Sequence, residues 1–190
     1  MTVLGPELKV GDKAPDFEAV DNGLKAVTLA TTGNGVRIFS VIPSLDTPVC
    51  DAQTKRFEEE TGKLPNVSIY TFSMDLPFAQ KRWCGAFGVD HVKMVSDHKT
   101  GSFGQAYGTL IKDLRILSRA IFVVDKTNTI KYVEAHHWIG RVEHHDFAAK
   151  SLHTVVKHHR CNLCRRIEAD ERSPIAQRGR YDVARCLKAA

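Results

Sequence analysis

The segment of this sequence with the clearest chemical potential is Pro43-Ser44-Leu45-Asp46-Thr47-Pro48-Val49-Cys50. It follows a short apolar, β-branched run, Val36–Ile42, and leads into a polar stretch of helical character that begins near Val49. A thiol at the start of a helix faces unpaired backbone N–H groups and the positive end of the helix dipole. Both favour thiolate over thiol. Thr47, three residues earlier, puts a hydroxyl within reach of the same sulfur, and Pro43 stiffens the turn and shields it from water. Such an electropositive, proline-bordered cup suits attack by sulfur on a compact electrophile. An ordinary thiol with a pKa near 8.5 is only about 3 % ionised at pH 7, so a pKa lowered by roughly three units increases the thiolate about thirtyfold and no further. Nucleophilicity also falls as basicity falls. Fast chemistry therefore needs donors for charge developing on the leaving group, and backbone N–H groups, the Thr47 hydroxyl and a nearby guanidinium are the candidates. On local sequence alone, a buried and inert cysteine fits the position equally well.

The elements that must hold this segment alternate between strand and helix. Val36–Ile42 reads as a buried strand, and Val67–Ser73 as a second with partial alternation. Pro77–Gly88 reads as a short helix, with proline early and glycine at its end. Val92–Ser96 suggests a short strand and Ser102–Gly108 a short helix or turn. Arg119–Asp125 and Thr129–Glu134 flank a short polar turn and predict a hairpin. This order predicts an α/β fold with a central mixed β-sheet flanked by helices on both faces. Trp83 and Phe78 are expected in the core. A last helix is expected over Asp146–Lys157.

The 190 residues suffice for one well-packed domain. Hydrophobic residues make up 43 % and charged residues 26 %, which excludes disorder, collagen and coiled coil as the overall class. No apolar run approaches the roughly 18 residues a membrane helix needs, and the start lacks the pattern of a secretory signal. The expectation is a cytoplasmic chain with no membrane partner. Five cysteines, odd in number and irregularly spaced, point to reactive or metal-binding thiols rather than a disulfide framework.

Residues 160–190 hold eight Lys/Arg against four Asp/Glu, so most of the net charge of +5 lies there. The expected division is a domain over residues 1–159 and a basic, loosely ordered appendage over 160–190. A diffuse imbalance of this kind is weak support for nucleic acid, and none is expected as a partner. Cys161 and Cys164, preceded by His158 and His159, have ligand types and local spacing that suit zinc. A second compact ligand pair is missing, which favours incidental thiols, and no metal is expected.

From Val10 to Glu134 the sequence resembles the thiol peroxidases, the atypical two-cysteine class of the peroxiredoxins. Pro43-Ser44-Leu45-Asp46-Thr47-Pro48-Val49-Cys50 carries the proline, threonine and cysteine of the peroxiredoxin signature at its spacing. The segment Asp75–Gly85, DLPFAQKRWCG, is similar to the stretch that holds the second cysteine of this class. VSDH, GSFGQAYG and RAIFVVD extend the likeness. The resemblance implies a thioredoxin-like fold and no metal, haem or flavin cofactor. It implies that Cys50 is the peroxidatic cysteine, which attacks hydrogen peroxide or an organic hydroperoxide and becomes a sulfenic acid. It gives Thr47 and Arg119 the roles of bonding the thiolate and peroxide, and Pro43 that of excluding solvent. Cys84 is implied as the resolving cysteine, which forms an intramolecular disulfide with Cys50 for thioredoxin or a similar dithiol to reduce. A homodimer is also implied. Closing that loop constrains the unfolded chain by roughly 4 kcal/mol, comparable to melting a turn or two of helix, so local unfolding around both cysteines is expected on oxidation. A catalytically impaired relative acting as a redox sensor or interaction module is the alternative.

Both ends depart from the family pattern. Relatives begin with a further hairpin-forming segment, so the start is expected to be truncated. After Glu134 the chain runs AHHWIGRVEHH in place of an acidic segment, and nothing from Arg160 onward has a counterpart. A frame change or fusion at the 3′ end of the coding region would explain it.

Overall fold

The computed structural model describes residues 1–61 and 67–136. The chain-order elements are β1 (Val3–Leu4), β2 (Ala19–Asp21), β3 (Ala26–Val27), β4 (Val36–Val41), α1 (Pro48–Thr61), β5 (Val67–Ser73), α2 (Pro77–Phe87), β6 (Lys93–Ser96), α3 (Ser102–Ala106), β7 (Leu110–Ile111), β8 (Ile116–Leu117), β9 (Arg119–Val124) and β10 (Ile130–His136). Seven strands form one sheet in the order β10-β9-β4-β5-β6-β2-β3. Its centre is parallel, β4 with β5 and β5 with β6, and each pair is bridged by a helix, since a parallel pair needs a long crossover. β9 runs antiparallel to β4 on one side, and β10 returns against β9 as a hairpin. β1, β7 and β8 form a separate three-stranded patch.

Every residue of β4 and β9 is buried, and successive side chains leave for opposite faces of the sheet. Ile38, Ile69, Ile121 and Val123 join one cluster with Phe57 of α1 and Trp83 of α2. Phe39, Phe72, Phe122 and Val124 join the other with Phe17, Phe103 and Tyr107. Within the second cluster the Phe103 ring stacks on both Phe72 and Tyr107, with centroids 3.7 and 4.2 Å apart. Such pairs contribute about 0.5–1.5 kcal/mol beyond their buried area. The sheet that carries the cysteine segment is therefore backed by a rigid aromatic layer. At Gly108, φ is +63° and an added Cβ would lie 2.0 Å from the Pro6 carbonyl oxygen, so only glycine lets the N-terminal segment close over this layer.

α1 opens with Pro48, a residue suited to the first helical turn. α2 opens with Pro77 and stops at Gly88 in the left-handed conformation. The N–H groups of Gly88 and Val89 both return to the Cys84 carbonyl, which puts Cys84 in the capped last turn of α2.

The mixed sheet with helices on both faces matches the expectation, and its main strands and helices fall within a residue or two of their expected bounds. β1, β2, β3, β7 and β8 were not anticipated; each has only two or three residues, too few to show a period. Phe78 is a correction. It is 65 % exposed, because α2 turns Pro77, Gln80 and Trp83 inward and Phe78 lies off that stripe. The helix expected over Asp146–Lys157, the boundary at residue 160 and the Cys161, Cys164, His158 and His159 group lie outside the described residues.

Candidate active site

Cys50 sits in the first turn of α1 with no accessible surface. α1 starts where β4 ends, and the β4–β9 register pairs Val41 with Ala120. Arg119, one residue before Ala120, therefore begins β9 at the same edge of the sheet. Its guanidinium is buried and reaches across to the helix, with Nη2 donating to the Cys50 Sγ at 3.2 Å. Nη1 donates to Oε1 of Gln53 at 2.5 Å, and Gln53 Nε2 donates to the Ser40 hydroxyl at 2.9 Å. Three elements thus fix the direction of one side chain. The ion pairs among the described residues do not include Arg119. A buried guanidinium is costly unless its donors find acceptors, and here the Cys50 sulfur and the Gln53 amide oxygen both accept from it.

Pro43 follows β4 closely and is buried. Thr47 stands at the start of α1, but its hydroxyl does not reach the sulfur. It donates instead to the Ser44 carbonyl at 3.0 Å, while the Thr47 carbonyl accepts the Asp51 N–H. The oxygen keeps lone pairs for an incoming donor. Asp75, at the start of the DLPF segment, holds the loop in place: its carboxylate accepts from the Ser44 hydroxyl and the Leu45 N–H, both at 2.8 Å, and from the Ser73 hydroxyl at 2.9 Å. Ser96 donates to its carbonyl, so β5, β6 and the cysteine loop share one anchor.

Cys84 is half-buried and packs against the apolar cluster that contains Cys50. Burial pushes its thiol above the ordinary value, against the lowering pull of the Asn22 amide, whose Nδ2 donates to Sγ at 3.8 Å. Cys50 and Cys84 are both free thiols here, one bonded to Arg119 and the other to Asn22. The fold thus brings Cys50 and Arg119 into contact, buries Pro43 at the end of β4, keeps Thr47 half-buried just ahead of α1 and leaves Cys84 on α2.

The sequence pattern of the Redoxin family matches residues 9–150. The chain belongs to the redoxin family. Within it, this redoxin is similar to the thiol peroxidases: 54 % identical over 134 residues to that of Bacillus subtilis, covering 70 % of this chain and 80 % of the relative. The thiol peroxidase of Oceanobacillus iheyensis is 51 % identical over 154 residues, covering 80 % of this chain and 92 % of the relative. Among solved structures, a peroxiredoxin-like protein from Aquifex aeolicus superposes with a TM-score of 0.71 at 37 % identity, over 80 % of this chain and 91 % of that one. The thiol peroxidase from Chromobacterium violaceum superposes with a TM-score of 0.72 at 19 % identity, over 83 % and 91 % of the two chains, and shows the fold alone.

Sequence reasoning did not find Gln53, Ser40, Asp75 or Asn22. Gln53 carried a usable signal, since it lies one helical turn after Cys50 and faces the same way. Asp75 leads the segment of the second cysteine, so its role was within reach. Asn22 comes from the turn between β2 and β3, and no local pattern connects it to Cys84 in this redoxin.

Proposed function

We propose that this chain is a thiol peroxidase that reduces hydrogen peroxide and small organic hydroperoxides. The single observation that carries the reading is the Arg119 guanidinium, buried, 3.2 Å from the buried Cys50 sulfur and without a carboxylate in an ion pair among the described residues. In the first step the Cys50 thiolate attacks one oxygen of the hydroperoxide. The S–O bond forms as the O–O bond breaks, sulfur is oxidised to a sulfenic acid, and the leaving oxygen takes a proton and departs as water or alcohol. Arg119 faces both the thiolate and the charge moving onto oxygen, where a preorganised donor acts most strongly. The Thr47 oxygen accepts a hydrogen bond from the hydroperoxide O–H, and Pro43 keeps water away.

In the second step the Cys84 thiol attacks the sulfenic sulfur, and a disulfide and one water result. A dithiol reductant of the thioredoxin type restores both thiols and leaves as its own disulfide. These steps use no metal, haem or flavin. The intact signature beside a positioned guanidinium disfavours the redox-sensor alternative. The resemblance adds a homodimer and a cytoplasmic setting to this reading, which sedimentation velocity and cell fractionation test.

The experiment is mass spectrometry of the reduced protein after one equivalent of peroxide. A Cys50–Cys84 cross-linked peptide is expected. A Cys50 thiol that stays reduced while peroxide persists would refute the peroxidase reading.

A further inference from the structure

Four residues that take no part in the steps above tie α1 to α2 beside the two cysteines. Asp51 follows Cys50 and Trp83 precedes Cys84. The Trp83 indole Nε1 donates to Asp51 Oδ1 at 3.2 Å. The other carboxylate oxygen pairs with Lys55 at 2.9 Å, one turn along α1. The Lys55 ammonium in turn lies 3.5 Å from the ring centre of Phe87, one turn along α2, and the Trp83 and Phe87 rings touch with centroids 5.1 Å apart. Residues 51 and 55 share one face of α1, and 83 and 87 share one face of α2. The two pairs close on each other as a clasp. Trp83 is 6 % exposed, so its N–H has no ready alternative in water.

A disulfide brings the two Cβ atoms to about 3.8 Å. In the reduced protein each sulfur has its own partner, Cys50 with Arg119 and Cys84 with Asn22. Asp51 and Trp83 are each covalently adjacent to a cysteine that must move, so their hydrogen bond is strained or broken when the sulfurs meet. Two fates compete for the Cys50 sulfenic acid. Attack by the Cys84 thiol gives the disulfide and water. Attack on a second hydroperoxide gives a sulfinic acid and water or alcohol, a state that a dithiol does not reverse. The first fate takes both sulfurs out of their present contacts and displaces the residues beside them; the second needs no movement of Cys84.

We propose that the Asp51–Lys55 and Trp83–Phe87 clasp sets the rate at which Cys84 reaches the Cys50 sulfenic acid, and so the peroxide concentration at which this enzyme is inactivated by overoxidation. The proposal rests on the assignment of Cys84 as the resolving cysteine. It makes Asp51 and Trp83 positioning residues for the second step alone.

Rapid-quench mass spectrometry separates the two steps in the full chain. In Trp83→Phe, which keeps an aromatic ring and removes the donor, the peroxide-dependent step is expected within twofold of the parent. The peroxide-independent step is expected to be about fivefold faster, equivalent to about 1 kcal/mol for the loss of one hydrogen bond. The sulfinic fraction in excess hydrogen peroxide should fall by a similar factor. Asp51→Ala should match it, and the double variant should be no faster than either single one, as expected of partners in one contact. A general loosening of the fold would make the two effects add. Unchanged or slower disulfide formation in both single variants, or additive effects, would overturn the clasp. If the parent itself forms no Cys50–Cys84 disulfide, the resolving assignment fails and the clasp with it. A normal disulfide in the parent with insensitive variants would sink the clasp alone.

Discussion

Replacing Arg119 by methionine separates chemistry from stability. Methionine keeps an unbranched apolar stem and removes the charge. At 3.2 Å and an effective dielectric of about 20, a guanidinium and a thiolate attract by about 5 kcal/mol, an upper bound before desolvation is subtracted. The net contribution of a hydrogen bond to a charged group is about 1.5–3 kcal/mol, or roughly tenfold to a hundredfold in rate. Arg119 also faces the departing oxygen, so the loss should lie at the upper end, about 10²-fold in the second-order rate constant with hydrogen peroxide. Stability should respond differently. The parent buries a cation whose fixed partner is the neutral Gln53 amide. Removing that charge relieves desolvation while leaving one Gln53 oxygen unpaired, and these oppose each other at about 1–3 kcal/mol each. The variant should melt within a few degrees of the parent. Stopped-flow peroxide consumption and differential scanning calorimetry on the same preparations make the test. A variant that retains the parent rate within threefold, with an intact melting transition, would refute the role given to this side chain.

Cys50→Ser is expected to abolish peroxide consumption, whereas Cys84→Ser should consume about one equivalent, accumulate a trappable sulfenic acid and stall with thioredoxin present. Because burial raises the Cys84 thiol, disulfide formation in the parent should accelerate as pH rises from 7 to 9, followed by quenched mass spectrometry. Gly85 lies inside α2, and an added Cβ there would meet nothing within 4 Å. Gly85→Ala should therefore stabilise the protein by about 0.5–1 kcal/mol, raise Tm by a few degrees and slow disulfide formation, because α2 becomes harder to unwind. In the β9–β10 turn, Asp125 accepts from Thr127 and Thr129; burial opposes its ionisation, but these bonds and Lys131 outweigh it and hold the carboxyl at about 2. A depressed carboxyl stabilises the fold above the unfolded value near 3.9 and loses that contribution as pH falls through the folded one. Asp125→Ala should thus be less stable than the parent at pH 7 by about 1–2 kcal/mol in urea titrations, and the gap should close between about pH 4 and 2.

The sequence revealed those parts of the fold that repeat a local rule. β4 and β9 read as buried strands because each is a β-branched, apolar run, and α2 was bounded by Pro77 and Gly88. The short strands β2 and β3 exist through pairing with each other and with β6, which no window of neighbouring residues encodes. The position of Cys50 in the first turn of a helix that follows a buried strand was legible from spacing. Arg119 was expected through family likeness, and the structure supplies its physical cause: the antiparallel register that delivers it to the start of α1. Thr47 gives its hydroxyl hydrogen to the Ser44 carbonyl, a stronger acceptor than sulfur, a local bond that the spacing of Thr47 and Cys50 does not reveal. Phe78 differs because hydrophobicity alone does not say which side of α2 a residue occupies.

The Asp75 carboxylate has a mechanical consequence. It moors the segment ahead of Cys50 and the root of α2 to a single point on the sheet. Measured along the chain, Cys50 follows the moored Leu45 by five residues, while Cys84 follows Asp75 by nine. When the sulfurs approach, both leave their present partners, and the shorter tether of Cys50 assigns the larger share of the travel to Cys84. The geometry of the peroxide cup would then survive each turnover nearly intact, with the wear of repeated rearrangement falling on the outer half of α2.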